Sequence, residues 1–271
     1  MPELPEVETT RRGIEPYVIG QTIQGLVVRE PRLRWRVSRA AIRELPGKRI
    51  RTVTRRGKYL LFDVGGGNLI VHLGMSGSLR VVPQATPAGK FDHVDVSLEN
   101  GDCLRLRDPR RFGAVLWTRS DAARHKLLMF LGPEPLSDAF SGAYLFRATR
   151  GRTRSIRDVL LDGRIVAGVG NIYANESLHA AGIRPTRAAA RLNRLQCEAL
   201  TTAIRATLTS AIRAGGTTLR DFRNASGNPG YFRVSLRVYD RAGLPCLVCG
   251  NLVKSVRLGQ RTAFYCRTCQ L

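Results

Sequence analysis

Residues 246–269 read CLVCGNLVKSVRLGQRTAFYCRTC, and this stretch determines how the end of the chain folds. It contains two Cys-x-x-Cys pairs, Cys246 with Cys249 and Cys266 with Cys269, separated by sixteen residues. Each pair holds two thiolates about one turn apart, and a hairpin between the pairs brings all four together as a tetrahedral zinc site. Because every ligand is a protein side chain, the predicted ion is a single structural zinc. A redox dithiol or two disulfides are the weaker alternatives.

The segment between the two pairs predicts a hairpin that carries Arg261 at its tip. Asn251–Arg257 and Arg261–Tyr265 are strand-like, and Leu258-Gly259-Gln260 supplies the turn between them. A metal-anchored hairpin is rigid, so its tip is a place from which one side chain can be pushed into a ligand. We expect this zinc finger to occupy residues 236–271.

The charge balance indicates what kind of partner the protein binds. The 271 residues include 44 Lys and Arg against 21 Asp and Glu, a formal net charge of +23. With 43% hydrophobic residues, the chain is globular and not disordered. A surplus of this size repels itself unless a polyanion neutralises part of it, although a well-solvated basic surface is the simpler alternative. Nucleic acid is the predicted partner, ahead of an anionic membrane surface.

Two features argue against secretion and membrane insertion. No stretch approaches the roughly eighteen apolar residues of a transmembrane helix. Glu3, Glu6 and Glu8 occupy the region in which a signal peptide carries positive charge. We therefore expect a cytosolic protein, and a reducing compartment favours a metal over disulfides for the clustered cysteines. Cys103 and Cys197 lie alone in apolar patterns and are expected to be buried thiols.

Residues 1–133 read as one opening helix followed by short strands. Pro5 suits the first turn of a helix, and Val7 and Ile14 lie two turns apart on one face. The eight β-rich runs are Thr22–Arg29, Arg49–Arg55, Lys58–Val64, Asn68–Leu73, Ser78–Val82, His93–Glu99, Cys103–Arg107 and Ala114–Thr118. Short strands joined by glycine-rich turns predict an antiparallel two-sheet β-sandwich or a flattened barrel.

The hydrophobic period then becomes that of helices, which predicts a helical domain over residues 134–222. Ser155 caps a run over 156–162, and Asn171 opens a second run over 172–181. The apolar positions of a long third helix are Leu192, Leu195, Ala199, Leu208 and Ile212. Residues 223–235 form a loop or linker by composition. The predicted fold class is therefore α+β, with several domains.

The amino terminus is the second unusual feature. Met1 precedes Pro2, and a small second residue ordinarily allows removal of the initiator Met, which leaves a secondary amine on the mature chain. An α-amine titrates roughly two units or more below a lysine, so part of it is nucleophilic near neutral pH. Such an amine forms a cationic iminium with an aldehyde carbon, and Glu3 and Glu6 can supply acid–base chemistry. Taken alone the signal is weak, because many proteins begin with Met-Pro.

Seven blocks of the sequence carry a resemblance to one family. They are Met-Pro-Glu-Leu-Pro-Glu-Val-Glu-Thr at 1–9, Arg-Gly-Lys-Tyr-Leu at 56–60, His-Leu-Gly-Met-Ser-Gly at 72–77, Asp-Pro-Arg-Arg-Phe-Gly at 108–113, Gly-Val-Gly-Asn-Ile-Tyr-Ala-Asn-Glu at 168–176, Gly-Gly-Thr-Thr-Leu at 215–219 and the cysteine tail. Their order is that of the bacterial formamidopyrimidine-DNA glycosylases, which the chain resembles from residue 2 to residue 269. The resemblance implies a two-sheet domain, a helix–two-turn–helix domain and a zinc finger, with duplex DNA in the cleft between the two halves.

The resemblance implies a bifunctional enzyme of base excision repair that excises oxidised purines, chiefly formamidopyrimidines and 8-oxoguanine. In this interpretation Pro2 attacks the sugar C1′ while Glu3 protonates the opening deoxyribose ring, and β- and δ-elimination follow from the iminium. Lys58 matches the family's proton donor in the β step, and a phosphate contact is its alternative role. Arg261 matches the residue tied to the δ step. Because an Arg does not easily lose a proton, we interpret Arg261 first as a bidentate phosphate clamp.

The resemblance also implies DNA contacts. His72, Asn171 and Tyr239 match phosphate-binding positions, and Arg152 matches a further DNA contact. Asn171 has an independent argument, because it follows two glycines at the start of a helix, where backbone N–H groups and the helix dipole attract a phosphate. A plain N-cap is the simpler role for Asn171.

A glycosylase must take its target base out of the stack and fill the gap. Met75, Arg110 and Phe112 match the family's intercalating residues, with Arg110 facing the orphaned base and Phe112 wedged beside it. Met75 and Phe112 could instead be core residues of strands. Their Gly, Ser and Arg neighbours favour exposure, and exposed apolar side chains beside a basic motif are typical of a wedge.

Four positions depart from the family pattern. Arg152 and Arg157 stand where relatives often carry Lys, Asn228 stands where Lys is common, and Phe91 replaces a frequent His. An Arg preserves the charge of Lys but changes its geometry. These departures concern lesion-base recognition and one DNA contact, and they do not touch the catalytic set.

Two alternatives stay open. An endonuclease VIII-type enzyme for oxidised pyrimidines shares Pro2, Glu3 and the fold, although residues 108–113 and 223–232 favour the purine enzyme. A lesion-binding protein without catalysis would need Pro2 blocked, for example by a retained Met1. We expect a monomer in the bacterial cytosol or nucleoid, with damaged duplex DNA as its partner and without an obligatory protein partner.

Overall fold

The computed structural model describes residues 2–215 and 236–271, which belong to two compact units. Of the described residues, the first unit contains 2–130 and 215, and the second contains 131–214 and 236–271. The predicted loop over 223–235, including Asn228, lies outside the described residues, as do positions 216–222 of the predicted helical domain.

The first unit consists of an opening helix and two antiparallel sheets of four strands each. The helix is α1 (Leu4–Val18), and a short helix, α2 (Arg39–Glu44), follows the first strand. In chain order the strands are β1 (Ile23–Val28), β2 (Thr52–Arg56), β3 (Tyr59–Asp63), β4 (Asn68–His72), β5 (Ser78–Pro83), β6 (Asp92–Leu98), β7 (Asp102–Arg107) and β8 (Ala114–Thr118). The sheet orders are β1-β6-β7-β5 and β2-β3-β4-β8. All eight predicted runs are strands, with ends within three residues of those expected.

The two sheets share one apolar core. Strand β3 buries Leu60 and Phe62 while the residues between them stay partly exposed, which is the alternation of a strand with one face in a core. These side chains belong to the same cluster as Leu104 and Leu106 of β7 in the other sheet. Burial contributes about 1.5–3 kcal/mol for each such side chain. The predicted β-sandwich is confirmed.

Helix α1 fixes the amino-terminal end of the chain against both sheets. It packs on β2 and β3 of one sheet and on β5 of the other. Its apolar face buries Val7 and Ile14, as their spacing predicts, together with Val18. Arg11 adds a hydrogen bond from Nη1 to the carbonyl oxygen of Val53 at 3.2 Å.

The described part of the second unit contains four α-helices and a short 3₁₀ helix at Ala189–Arg191. The α-helices are α3 (Gly142–Thr149), α4 (Ile156–Leu160), α5 (Asn171–Ala180) and α6 (Arg194–Arg213). The Ser155 hydroxyl caps α4 by accepting the backbone N–H of Asp158 at 3.1 Å, as predicted. Helix α5 begins one residue earlier than expected, so Gly170 is its N-cap and Asn171 is its first helical residue. In α6 the buried stripe includes Cys197, and Leu195, predicted on that face, is 81% exposed because it lies in the first turn away from the stripe.

The tail forms the predicted hairpin. Strands β9 (Val253–Leu258) and β10 (Arg261–Cys266) pair antiparallel, with Leu258 opposite Arg261. The turn therefore contains only Gly259 and Gln260, one residue fewer than expected. Gly259 has a φ of +58°, a left-handed conformation that suits glycine. Within the described ranges, none of the helices combines the length and apolar character needed to cross a bilayer.

Candidate nucleic-acid interface and metal centre

The amino-terminal residues are held in place at the start of α1. Pro2 and Glu3 are both buried, and Glu3 is only 1% exposed. The backbone N–H of Glu3 donates to Oε2 of Glu6 at 2.8 Å, so the carboxylate one turn into the helix fixes the residue that precedes it. Glu3 is therefore fixed at the start of the helix, and Pro2 is the residue that precedes it.

Lys58 lies in the turn between β2 and β3, and this turn is tied to the same helix. Arg55 donates from Nε to Oε2 of Glu8 at 3.1 Å and from Nη1 to the carbonyl oxygen of Gly57 at 3.0 Å. Burial opposes ionisation of Glu8, but hydrogen bonds from Arg11 and its neighbours and the charge of Arg55 outweigh it and lower the pKa of that carboxyl. The first unit therefore brings the predicted Pro2, Glu3 and Lys58 to one helix and the turn bound to it.

His72 ends β4 beside the start of β3. Tyr59 lies opposite it in the sheet, with ring centroids 4.7 Å apart. Burial, followed by the charges of Lys58 and Arg34, lowers the pKa of His72 to about 4. Its Nδ1 accepts the backbone N–H of Gly74 at 3.0 Å, so the neutral ring carries its proton on Nε2. His72 is thus an uncharged hydrogen-bond donor near neutral pH.

Two adjacent loops carry the three residues predicted to intercalate. Met75 lies between β4 and β5, and Arg110 and Phe112 lie between β7 and β8. The loops touch at Gly74, where a Cβ atom would come within 2.4 Å of the backbone of Phe112 and Gly113. Glycine is therefore required for this contact between the loops.

A buried carboxylate organises both loops. Asp108 accepts the backbone N–H of Gly113 at 2.7 Å through Oδ2, and its Oδ1 accepts the Ser76 hydroxyl and the Arg110 N–H, each at 3.3 Å. Met75 and Phe112 remain 38% and 43% exposed, as their sequence context favours. The Arg110 guanidinium lies 5.1 Å from the centroid of the Phe112 ring. The first unit thus presents a methionine, a phenylalanine and an arginine together on one surface.

In the second unit, Asn171 contacts both α4 and the finger. Its Oδ1 accepts Arg157 Nε at 3.1 Å and Nη2 at 2.9 Å, and its Nδ2 donates to the carbonyl oxygen of Thr262 at 3.0 Å. One turn later, Asn175 Oδ1 accepts the backbone N–H of Phe264 at 2.8 Å. Helix α5 therefore binds strand β10 along a stripe of polar side chains.

The predicted phosphate contact Tyr239 is fixed by the same helix. The Glu176 carboxylate accepts three consecutive backbone N–H groups, those of Arg237 at 2.9 Å, Val238 at 3.0 Å and Tyr239 at 2.8 Å. The Tyr239 ring packs edge-on against Phe264, with centroids 5.2 Å apart. Such a fixed main chain restricts where the phenol can lie.

The two remaining predicted DNA contacts differ in their surroundings. Arg152 is half-buried and donates from Nε to the carbonyl oxygen of Ala148 at 2.7 Å, at the end of α3. Arg261 is exposed at the hairpin turn, and among the described residues its side chain makes no hydrogen bond or ion pair. Its guanidinium is therefore available to a ligand.

The four predicted zinc ligands come together, with their sulfur atoms all within 4.8 Å of one another. Cys246 and Cys269 have sulfurs 3.9 Å apart, and those of Cys249 and Cys266 are 3.4 Å apart. A tetrahedral zinc with Zn–S bonds near 2.3 Å requires sulfur separations of about 3.8 Å. Desolvation and the three neighbouring thiols raise the pKa of Cys269 to about 12, whereas a backbone hydrogen bond with Asn251 and the Cys266 thiol lower the pKa of Cys249 to about 6. A bound cation stabilises the thiolate form of all four. The donor set fits zinc.

A buried histidine adjoins this cluster. His179, near the end of α5, places Nε2 3.7 Å from the sulfur of Cys246. With Asn171 and Asn175 it forms a series at intervals of four residues on one face of the helix. His179 thus extends the polar stripe of α5 to the metal centre.

Sequence reasoning missed several of these supporting residues. Arg157 was interpreted only as a departure from Lys, and Asp108, Asn175, Glu176 and His179 were given no role of their own. Three of them sit in the run 171–180, where polar residues at four-residue spacing interrupt a helix that is otherwise buried. That pattern was the available signal for a polar docking face.

Three parts of the chain match family models. Residues 1–115 match the formamidopyrimidine-DNA glycosylase N-terminal domain, and residues 131–223 match the formamidopyrimidine-DNA glycosylase H2TH domain. Residues 243–271 match a zinc finger found in FPG and IleRS. The three matches follow the order of the elements described above.

Whole proteins are similar over the same length. The chain is 55% identical over 270 residues to the formamidopyrimidine-DNA glycosylase of Methylococcus capsulatus, with 100% of both chains covered. A crystal structure of MutM (Fpg) from Thermus thermophilus has a TM-score of 0.89 at 41% identity and covers 99% of this chain and 98% of that one. A complex between Lactococcus lactis Fpg and abasic-site DNA has a TM-score of 0.92 at 34% identity, with 99% of each chain covered. With the sequence, the folds and the cysteine cluster in agreement, the chain belongs to the formamidopyrimidine-DNA glycosylase family of DNA repair enzymes.

Proposed function

We propose that this chain is a bifunctional DNA glycosylase and AP lyase that removes oxidised purines, chiefly formamidopyrimidines and 8-oxoguanine, from duplex DNA. The observation that carries the proposal is the amino-terminal arrangement, in which buried Glu3 directly follows Pro2 and Lys58 lies on a turn tied to the same helix. Lactococcus lactis Fpg has been solved with DNA containing N7-benzyl-Fapy-dG and with abasic-site DNA. The formal charge of +23 suits a polyanionic partner.

The first chemical step forms a covalent bond to the sugar. Once Met1 is removed, the Pro2 nitrogen attacks C1′, and the C1′–N bond breaks with its electron pair leaving on the base. The base takes up the proton that the Pro2 nitrogen gives up on forming the new bond. Glu3 delivers a proton to O4′ as the C1′–O4′ bond opens, and the product is an iminium between Pro2 and C1′. Glu3 is the residue next to Pro2 in the chain, so its carboxyl is the acid–base group nearest in sequence to the proposed nucleophile.

The same iminium then allows strand cleavage. It withdraws electrons from C2′, so loss of a C2′ proton expels the 3′ phosphate, and a second elimination expels the 5′ phosphate. Lys58 is the proposed proton donor of the β step. Arg261 is the proposed clamp that holds the phosphate leaving in the δ step, and water finally releases the sugar fragment from Pro2.

Residues of both units are proposed to bind the DNA duplex. His72, with its neutral Nε2–H, is a donor to a phosphate, and Asn171, Tyr239 and Arg152 are further backbone contacts. Met75, Arg110 and Phe112 are proposed to fill the gap that the extruded nucleotide leaves. Their exposure on two interlocked loops supports this role.

We also propose one zinc ion, held by Cys246, Cys249, Cys266 and Cys269. When bound, the ion supplies no reaction chemistry and folds a tail too small for a core of its own. The proposed functional divisions are residues 1–133, 134–222, 223–235 and 236–271, in a monomer that acts without an obligatory protein partner.

The decisive experiment is borohydride trapping on an abasic or 8-oxoguanine duplex. Reduction should give a covalent complex whose cross-linked peptide begins at Pro2, because only an amine forms a reducible Schiff base. Pro2→Gly should retain a primary amine and some lyase activity. A cross-link at Lys58 would overturn the assignment of Pro2 as nucleophile.

Substrate class is tested in parallel. Duplexes with 8-oxoguanine or a formamidopyrimidine should be cleaved faster than duplexes with an oxidised pyrimidine. The reverse order would favour an endonuclease VIII-type activity. Intact-mass measurement of the purified protein should give the chain without Met1, and a fully retained Met1 would favour a lesion-binding protein without catalysis.

A further inference from the structure

We propose that Arg157 is a positioning residue that holds the hairpin turn carrying Arg261. Arg157 lies in α4, about a hundred residues before the turn, and its side chain is 1% exposed. It touches no reacting atom in the proposed chemistry. The inference concerns how Arg261 is held in place, and it rests on the role given to Arg261 under the proposed function.

All five N–H donors of the Arg157 guanidinium have acceptors. Nε and Nη2 both donate to Asn171 Oδ1, at 3.1 and 2.9 Å. Nη1 donates to Asp158 Oδ1 at 2.7 Å and to the carbonyl oxygen of Leu258 at 3.2 Å. The second hydrogen of Nη2 reaches the carbonyl oxygen of Thr262 at 3.4 Å. A guanidinium offers five donors, so its capacity is fully used.

The two carbonyl contacts lie on opposite sides of the turn. Leu258 is the last residue of β9, and Thr262 follows Arg261 in β10. A group that binds both carbonyls therefore fixes the ends of the segment Leu258–Thr262, within which Arg261 lies. Asn171, oriented by Arg157, adds a second bond to the Thr262 carbonyl at 3.0 Å.

The residue type fits this task better than a lysine would. A lysine has three donors on one atom, whereas the planar guanidinium reaches acceptors on several sides at once. A buried charge is expensive, and a buried ion pair is weak evidence for stability in itself. Arg157 has one carboxylate partner, Asp158, whose side chain is 32% exposed. The use of a buried guanidinium here is explained by the carbonyls that it joins.

The test compares Arg157→Gln with Arg261→Ala on a preformed abasic duplex at saturating enzyme. Arg157→Gln should lower the ratio of δ to β products about tenfold or more, since a displacement near 1 Å has effects of that size. Schiff-base trapping should stay near the wild-type yield. Arg157→Lys should restore part of the ratio, because it keeps the charge but not all of the contacts.

A double variant separates positioning from general damage. If Arg157 acts through Arg261, Arg157→Gln combined with Arg261→Ala should lose no more δ-elimination than Arg261→Ala alone. Amide hydrogen exchange of residues 258–262 should also accelerate in Arg157→Gln. Arg205→Gln is the matched control, because Arg205 donates from Nη2 to two carbonyls, those of Ser137 and Phe140, each at 2.8 Å and away from the finger.

Zinc content keeps the result interpretable. If Arg157→Gln loses zinc or does not fold, Arg157→Lys becomes the deciding variant, with an intermediate product ratio and faster exchange at 258–262 expected. An unchanged ratio with stoichiometric zinc, or additive losses in the double variant, would overturn the inference. If Arg261→Ala alone leaves the ratio unchanged, the failure belongs to the proposed role of Arg261 and is recognised as such.

Discussion

The carboxylate of Asp108 accepts the Ser76 hydroxyl at 3.3 Å and thereby joins the loop of Met75 to the loop of Arg110 and Phe112. The same carboxylate binds the backbone N–H of Gly113 at 2.7 Å. Asp108 is fully buried, so these bonds are made away from water and hold the loops in one arrangement. Loop geometry, and not only the exposed side chains, is therefore expected to determine how well the lesion is extruded.

Asp108→Ala should separate base removal from lyase action. Loss of the buried acceptor leaves N–H and O–H donors unsatisfied, at a cost of about 1–3 kcal/mol in the free energy of unfolding. Single-turnover excision of 8-oxoguanine should slow more than cleavage of a preformed abasic site, which needs less help to leave the stack. Ser76→Ala, which removes one contact, is the milder control. Equal losses on both substrates would contradict this role for the loops.

Phe112→Ala should lower base excision without lowering stability. Its side chain is 43% exposed and lies in a surface loop, so the free energy of unfolding should change by no more than about 0.5 kcal/mol. The rate of excision from an 8-oxoguanine duplex should nevertheless fall, because the proposed wedge no longer fills the gap that the extruded nucleotide leaves in the base stack. Phe130 is the matched control, since it is another exposed phenylalanine, outside the two loops. If Phe130→Ala slows excision as much as Phe112→Ala does, the wedge assignment is wrong.

The metal centre gives a prediction that does not depend on activity. His179 Nε2 lies 3.7 Å from Cys246 Sγ. Replacing a residue that contacts a metal ligand typically lowers metal affinity by about 10–100-fold. His179→Ala should therefore release zinc to a competing chelator more readily than the wild type does. His179→Gln keeps a hydrogen-bond donor and should release zinc less readily than His179→Ala. Cys249→Ser should lose the ion while the first unit stays folded. Stoichiometric, tightly held zinc in all three variants would exclude the site described.

Local pattern sufficed for much of the fold. The eight strands were predictable because each is a short β-rich run, with glycine-containing turns between several of them. Burial alternates in β3, whereas β4 and β7 are buried along nearly their whole length. Helix α3 was not predictable in this way, because its eight residues begin with Gly142 and bury few apolar side chains. Asn171 was predicted as the residue that opens α5, whereas the N-cap is Gly170 and Asn171 is the first helical residue.

The site was predictable where its residues act through their own chemistry and not where they act through distant partners. The four cysteines carry a metal signature in their spacing alone. Arg157 carries none, because its role requires the hairpin turn to lie against α4, and local sequence does not contain that contact. Likewise, the uncharged state of His72 depends on burial and on Lys58 and Arg34, which only the folded sheet brings near.

His72 should stay neutral to unusually low pH. Its pKa in the folded protein is about 4, against about 6.5 for an unperturbed histidine. Between these values the unfolded chain binds a proton that the folded protein does not, so the free energy of unfolding rises with pH across this window. The difference between the two pKa values corresponds to about 3 kcal/mol in the free energy of unfolding. This stability is lost progressively as the pH falls from about 6.5 to about 4.

His72→Gln should remove this dependence. Denaturant unfolding at pH 4.5 and 7 should show a smaller stability difference in the variant than in the wild type, and the comparison cancels carboxylate titration common to both. Nitrogen NMR of the wild type should find the ring proton on Nε2, since Nδ1 accepts the Gly74 N–H. Because a neutral donor displaces few counterions, His72→Gln should weaken binding to an abasic duplex while leaving the salt dependence of affinity unchanged. A measured His72 pKa near 6.5, together with a shallower salt dependence in the variant, would instead make His72 a charged phosphate contact.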